Sequence, residues 1–207
     1  MKKFFTLVLL SLFAILDSEA QNVQLSPEKV LEKAASVITN SKGISAQFKI
    51  SGNSARGIGS IKGQGEKFVV TLPDVQVWYN GKEMYTYNGN TEETTIINPD
   101  IEELQESNPL LYVNAYKGKF KASYSSASAK GKYIIVLQPL TKTSNIKKLI
   151  FTINANNYKL EKIISEMNGG NTLTVEVTSL NTNLTIPSSE FEYPRKAFPK
   201  AEIIDLR

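Results

Sequence analysis

The chain contains no cysteine and no histidine in its 207 residues. Without cysteine it can form neither a disulfide nor a thiol redox motif. Without histidine it lacks the base of Ser-His-Asp and Cys-His catalysis and the commonest zinc ligand. The acid pairs Glu92-Glu93 and Glu102-Glu103 point in different directions in a strand or a helix, so we interpret them as solvated surface charge. We therefore expect no enzyme, no metal and no other cofactor.

The chain also lacks a strong excess of one charge. It has 24 basic and 20 acidic residues, a net charge of +4. Nucleic-acid-binding domains carry a much larger basic excess, clustered on one face. The composition therefore argues against nucleic acid as a partner.

The first twenty residues have the pattern of a signal peptide. Lys2 and Lys3 precede an apolar run from Phe4 to Leu16, and Ser18-Glu19-Ala20 supplies small residues for cleavage before Gln21. The run is shorter than the roughly 20 residues of a membrane span, although an uncleaved anchor is the alternative. No cysteine follows it for lipidation. We expect residues 1–20 to be removed and residues 21–207 to form a single monomeric domain outside the cytoplasm.

The pattern of the remaining chain predicts one capped helix followed by many strands. Ser26 and Pro27 begin the helix, and Asn40 and Gly43 end it. From Ser45 onward, hydrophobic residues alternate with polar ones in roughly ten strands joined by hairpin-like turns. Two shorter helices are predicted from about 100 to 106 and from 110 to 116. The fold class is mainly β (α+β): a curled antiparallel sheet closed by about three helices.

An aromatic ribbon over residues 75–87 is the most informative segment. The pairs Asn80-Gly81 and Asn88-Gly89 predict tight hairpins, in which both residues of each pair would have positive φ. Alternation puts Trp78 and Tyr79 on opposite faces, so both faces carry large rings. These rings are either ordinary core residues beneath a helix or the wall of a cavity for an apolar ligand. The sequence does not show whether Trp78 or Tyr79 points inward.

Two further features have competing interpretations. Lysines at 142, 147 and 148 surround one turn, with lysines at 130 and 132 one strand earlier. They are either the protection of a sheet edge against aggregation or a docking patch for an anionic membrane or an acidic partner. Gly57 and Gly59 lack the context of a phosphate-binding loop, and we interpret them as strand bends or bulges.

Several segments, taken in order, resemble the family of bacterial outer-membrane lipoprotein carriers (LolA-like). They are the capped helix leading into Ala46-Gln47-Phe48, Gly57 to Ile61 followed by Phe68, the hairpin Tyr79-Asn80-Gly81-Lys82 with Tyr85-Thr86-Tyr87-Asn88, Asn108-Pro109-Leu110-Leu111, and Phe191-Glu192-Tyr193-Pro194. One departure stands out. Many of these carriers place an arginine before the third strand to tie the helical lid to the barrel, whereas this chain has Lys62-Gly63-Gln64-Gly65-Glu66-Lys67.

The resemblance implies a periplasmic carrier with an incomplete β-barrel. Such a carrier binds the acyl chains of lipoproteins, receives them from an inner-membrane lipoprotein-releasing transporter and delivers them to an outer-membrane receptor. The alternative is a periplasmic lipid- or lipoprotein-sensing module of the same fold. The residues expected to line the lipid-binding cavity are Phe48, Ile50, Phe68, Val70, Trp78, Tyr85, Tyr87, Leu110 and Leu111.

Overall fold

The structure, a computed structural model, describes residues 25–53, 56–108, 110, 113, 116–127, 129–141 and 144–207. At 102, 105 and 106 it describes the backbone alone. The expected signal peptide, Leu111, Lys142 and most of the helix expected at 110–116 lie outside the described residues.

The described residues form two helices and twelve strands. The helices are α1 (Pro27–Thr39) and α2 (Ile101–Ser107). The strands are β1 (Ile44–Gly52), β2 (Arg56–Gln64), β3 (Lys67–Thr71), β4 (Val75–Tyr79), β5 (Met84–Asn88), β6 (Glu93–Ile97), β7 (Phe120–Tyr124), β8 (Lys132–Pro139), β9 (Ile146–Asn154), β10 (Leu160–Met167), β11 (Thr172–Asn181) and β12 (Glu202–Asp205). Two single turns of 3-10 helix, Ser188–Phe191 and Arg195–Ala197, precede β12.

All twelve strands belong to one sheet, in the order β12-β6-β5-β4-β3-β2-β1-β11-β10-β9-β8-β7. Two antiparallel meanders, β1 to β6 and β7 to β11, meet where β1 pairs with β11. The last strand, β12, adds to β6 in parallel and forms one edge of the sheet. The other edge is β7, and it does not pair with β12. The sheet is therefore open and mainly antiparallel, as predicted, with twelve strands instead of about ten.

The chain must cross the concave face of the sheet to pass from β6 to β7. These two strands lie near opposite edges, and residues 98–119, which we call the connecting segment, join them. Three side chains of this segment, Leu110, Val113 and Tyr116, are at most 5% exposed and belong to the main core. The connecting segment therefore helps to fill the hollow of the curled sheet.

Helix α1 supplies most of the remaining cover. Ser26 caps it by accepting a hydrogen bond from the Lys29 backbone N–H, and Val30, Leu31 and Ala34 are at most 1% exposed. The prediction of about three helices is wrong: α1 is the one long helix among the described residues, while α2 has only seven residues. Fewer helices suffice because the curled sheet buries much of its own concave face. In the described part of the chain, no helix is both long and apolar enough to cross a bilayer.

The hairpin between β4 and β5 differs from the predicted tight turn. Residues 80–83 separate the two strands, and Gly81 has a φ of 99° whereas Asn80 does not have positive φ. The Asn80 side chain instead accepts hydrogen bonds from the backbone N–H groups of Lys82 and Glu83, at 3.0 and 2.9 Å. Asn80 thus acts through its side chain. The hairpin exists as predicted, but the expected conformation of its turn was wrong.

Gly59 is not part of a bulge, because the β1–β2 register runs without a shift from Ile44 to Ser51. It lies opposite Phe48, and a Cβ at this position would collide with the Phe48 ring and lie 2.7 Å from Leu72. The missing side chain therefore makes room for a ring that is 2% exposed.

Replacing Gly59 with alanine should overpack the core beside Phe48 and lower the free energy of unfolding by about 1–3 kcal/mol. Chemical denaturation measures this change. Gly169→Ala is the matched control, because a Cβ there meets nothing within 4 Å. The interpretation fails if both variants have the same stability.

Candidate functional site

A cavity of about 320 Å³ opens at the end of the sheet where β1 begins and β2 ends. The C-terminal end of α1, the β2–β3 turn, the end of β4 and the connecting segment surround it. The lining residues are Ile38, Thr39, Ser41, Ile44, Gly63, Gln64, Gly65, Glu66, Lys67, Phe68, Tyr79, Leu104, Asn108 and Leu110.

Local sequence features fix the walls of this cavity. Helix α1 ends at Thr39, with Asn40 as its C-cap, as the sequence predicted. Gly65 adopts a φ of 61° between β2 and β3, a conformation that glycine reaches without steric cost. The Gln64 side chain accepts a hydrogen bond of 2.9 Å from the Ile186 backbone N–H. The β2–β3 turn is therefore tied to the chain that follows β11.

The connecting segment reaches the cavity through α2. Asp100 and Glu103 form a capping box at the start of α2, each side chain accepting a hydrogen bond from the other's backbone N–H, at 2.9 and 2.8 Å. After α2, the buried Asn108 side chain accepts a hydrogen bond of 3.0 Å from Leu110 N–H. This turn directs Leu110 into the core, where it is 3% exposed.

The cavity wall is mostly apolar, and Thr39, Ser41, Gln64 and Asn108 add uncharged polar groups to it. Phe68 and Tyr79 lie with their ring centroids 5.4 Å apart. Burial raises the pKa of the Tyr79 phenol and the nearby Glu66 carboxylate raises it further, so Tyr79 is neutral at physiological pH. Glu66 and Lys67 bring one charge of each sign to the rim. Among the described residues no cluster of histidine, cysteine, aspartate or glutamate could hold a metal ion.

Part of the predicted cavity set lies on this concave side. Phe68 and Leu110 line the cavity itself. Phe48 and Val70 are buried in the main core, and Ile50 packs against that core. Leu111 lies outside the described residues. The geometry thus brings five of the predicted residues to the concave face, and their role in lipid binding stays a prediction.

Trp78, Tyr85 and Tyr87 lie on the opposite, convex face of the sheet. The register pairs Trp78 with Tyr85, whereas Tyr79 pairs with Met84 and shares its place in the main core. The prediction that Trp78, Tyr85 and Tyr87 line the cavity with Phe68 is therefore wrong. Of the two candidates for the inward residue of the ribbon, Tyr79 points inward and Trp78 does not.

Tyr193 and Phe198 pack over these three rings. We call the five residues together the outer cluster: Trp78, Tyr85, Tyr87, Tyr193 and Phe198. The Trp78 ring meets Tyr193 and Phe198 edge to face, with centroids 5.4 and 5.7 Å apart. Tyr85 stacks on Tyr193, at 5.3 Å and 6°. Aromatic contacts of this kind add about 0.5–1.5 kcal/mol each beyond area burial. The outer cluster explains why Trp78 is only 5% exposed without facing the cavity.

Polar contacts hold the C-terminal chain over this face. The hydroxyl groups of Thr94 and Tyr193 share a hydrogen bond of 2.8 Å, and Thr94 is fully buried. Lys62 on β2 forms an ion pair of 2.7 Å with Glu190. Phe191, between these contacts, is 1% exposed. The segment 188–198 is thus a cover for the convex face and not a part of the cavity.

Sequence reasoning missed several lining residues. The sequence places Ile38 in the last turn of α1, but its role in the cavity depends on the β2–β3 turn, which only the fold brings close to it. The sequence does not place Leu104 and Asn108 in the cavity, because the path of the connecting segment across the sheet depends on the strand order. For Tyr79 the sequence shows only that it lies on the face opposite Trp78, and not which of the two faces points inward.

Residues 15–170 match the family described as outer membrane lipoprotein carrier protein LolA. The chain belongs to this family. The matched region includes the cavity residues but ends before the segment 188–198. No curated protein matches the chain.

Solved structures of similar fold share little sequence with this LolA-family chain. An uncharacterized conserved protein from Thermus thermophilus is 9% identical, with a TM-score of 0.58 over 86% of this chain and 98% of that one. The LolA superfamily protein NE2245 from Nitrosomonas europaea is 11% identical, with a TM-score of 0.42 over 82% and 99%. MucB in the Pseudomonas aeruginosa MucA/MucB complex is 10% identical, with a TM-score of 0.45 over 82% and 62%.

The fluorescence of Trp78, the single tryptophan, should not respond to an apolar ligand in the cavity, because its ring lies in the outer cluster on the other face. Phe198→Ala should shift its emission to longer wavelength by exposing the ring to water. Titration with an acylated peptide, with binding followed independently, checks this. An emission shift on binding equal to that caused by Phe198→Ala would contradict the assignment of Trp78 to the outer cluster.

Proposed function

We propose that this protein is a periplasmic carrier that binds lipoprotein acyl chains in the cavity beneath α1 and moves them from the inner to the outer membrane. The observation that carries the proposal is an apolar cavity, walled by Phe68 and Tyr79, in a member of the LolA family. An inner-membrane lipoprotein-releasing transporter would supply the cargo and an outer-membrane receptor would accept it. The protein has no catalytic step in this account.

The physical requirement is to shield an acyl chain in water and yet release it. Burying a chain yields about 0.8 kcal/mol for each CH₂ group, so a lipidated protein does not leave a membrane without a cover. Ile38 and Leu104 line the cavity from two helices and are only partly buried. A site closed by helices, and not by the sheet alone, can widen when α1 or α2 shifts. Transfer then follows a gradient of affinity.

The size of the cavity supports a second candidate function, which is sensing instead of transport. At about 320 Å³ it lies at the lower end of the range for ligand pockets, roughly 300–1,000 Å³. In this closed form it suits one small apolar group better than a multiply acylated cargo. A periplasmic module that senses a lipid or lipoprotein without transporting it would need no larger space. Both functions begin with the same binding event.

Ile38→Lys should place a charge against the cavity wall and weaken binding of a fluorescent acylated peptide by roughly tenfold or more, equivalent to about 1.4 kcal/mol. Ser36→Lys is the matched control, since residue 36 is exposed on the same helix. Fluorescence anisotropy measures both affinities. Equal affinity of the two variants and the unaltered protein would place the ligand elsewhere.

A transfer assay separates the two candidate functions. Donor vesicles hold a fluorescent triacylated peptide, and acceptor vesicles receive it. A carrier should speed the transfer in proportion to its concentration, and Ile38→Lys should abolish this effect. Binding without faster transfer would favour the sensing module, and absence of binding would contradict both.

A further inference from the structure

The two meanders of the sheet differ strongly in charge. Residues 117–181, which contain β7 to β11, hold ten lysines and three glutamates, a net charge of +7, with no aspartate or arginine. Residues 25–116, which contain β1 to β6, hold eight basic and eleven acidic residues, a net charge of −3. The small net charge of the whole chain therefore combines a strongly basic region, residues 117–181, with a mildly acidic one, residues 25–116. Such asymmetry is typical of proteins that contact an anionic surface.

The edge-protection interpretation does not explain Lys132, Lys147 or Lys148. Lys132 lies on β8 and both Lys147 and Lys148 on β9, and neither strand is an edge. Two of the three are already neutralised, because Lys132 pairs with Glu161 at 2.8 Å and Lys148 with Glu166 at 2.9 Å. The side chain of Lys147 is exposed.

Lys147 lies at one corner of the sheet together with Lys121. Lys121 on β7 pairs with Gln138 near the end of β8. Leu137 on β8 pairs with Leu149, two residues from Lys147. The start of β7, the end of β8 and the start of β9 thus lie at the same end of the sheet, and two exposed lysines there come from the strands on either side of β8.

An exposed leucine lies at the same end of the sheet. Leu140 follows β8 directly and is 60% exposed, one of four large hydrophobic side chains exposed to this degree among the described residues. Its backbone N–H donates a hydrogen bond of 2.9 Å to the Lys119 carbonyl, which fixes the leucine beside the start of β7. We call Lys121, Leu140 and Lys147 the basic corner.

We propose that the basic corner docks this protein on the surface of an anionic phospholipid membrane. Lysines close to such a surface gain electrostatic attraction to the lipid headgroups. An exposed leucine at the same end of the sheet adds the apolar contact that distinguishes a bilayer from a polar partner. The long lysine stems can lie along the interface while their ammonium groups contact phosphates.

An acidic protein would use the lysines but would not need the exposed leucine of the corner. A membrane uses both features. The basic corner also lies at the opposite end of the strands from the cavity, since the β8–β9 and β2–β3 turns are at opposite ends of the sheet. Docking there leaves the cavity uncovered. Membrane binding and cavity binding are therefore separable by experiment, and this proposal does not depend on the proposed function.

Co-sedimentation with phosphatidylcholine vesicles, with and without phosphatidylglycerol, tests the docking. The unaltered protein should bind only the anionic vesicles, and salt should weaken the binding. Lys121→Gln with Lys147→Gln, and separately Leu140→Ser, should each weaken it by roughly tenfold or more. Two controls carry the same chemistry elsewhere: Lys196→Gln with Lys200→Gln, and Ile58→Ser, which replaces an exposed hydrophobic residue on β2.

Full binding by both control variants, together with the two losses, supports the proposal. Absence of binding to anionic vesicles overturns it, as does equal loss in the control variants. Binding to polyglutamate that needs the two lysines but not Leu140 would assign the corner to an acidic protein and would also overturn it. Circular dichroism verifies that every variant is folded. Unchanged affinity of the corner variants for an acylated peptide shows that the cavity is intact.

Discussion

The need to bury one face of a single large sheet governs this structure. Twelve strands form one layer, and α1 is the one long helix that the described residues offer as a second layer. A flat sheet would leave most of its apolar face in water, so the sheet curls and its two meanders share one core with α1. Because β6 and β7 end up near opposite edges, the connecting segment must cross the hollow. The cavity lies where α1, the β2–β3 turn and this segment fail to meet completely.

The same constraint gives the aromatic ribbon two separate roles. Val77 and Tyr79 face the core and the cavity, while Trp78 faces away from them. The convex face at this place is apolar because the segment 188–198 covers it with Tyr193 and Phe198. The aromatic rings on the two faces of the ribbon therefore do not both contact a ligand in the cavity. One face closes the cavity and the other anchors the end of the chain.

The periodic parts of the fold could be predicted from local sequence. Ser26 and Pro27 mark the start of α1, and alternation fixes which residues of each strand share a face. The inward direction of the ribbon could not be predicted, because it depends on the contact of Trp78 with Tyr193, more than a hundred residues away. The cavity residues on α1 and α2 depend on the strand order for the same reason. The helix count was wrong because the degree of curl, which sets how much cover is needed, has no local signature.

We propose that an acyl chain binds on the Tyr79 face of the sheet beneath α1, and not in the outer cluster. Photo-cross-linking with a diazirine-bearing acylated peptide, followed by mass spectrometry of the labelled residues, tests it most directly. We expect label on residues that line the cavity, such as Ile38, Phe68, Tyr79 and Leu110, and its loss in Ile38→Lys. Label concentrated on Trp78 or on the segment 188–198 would contradict the account.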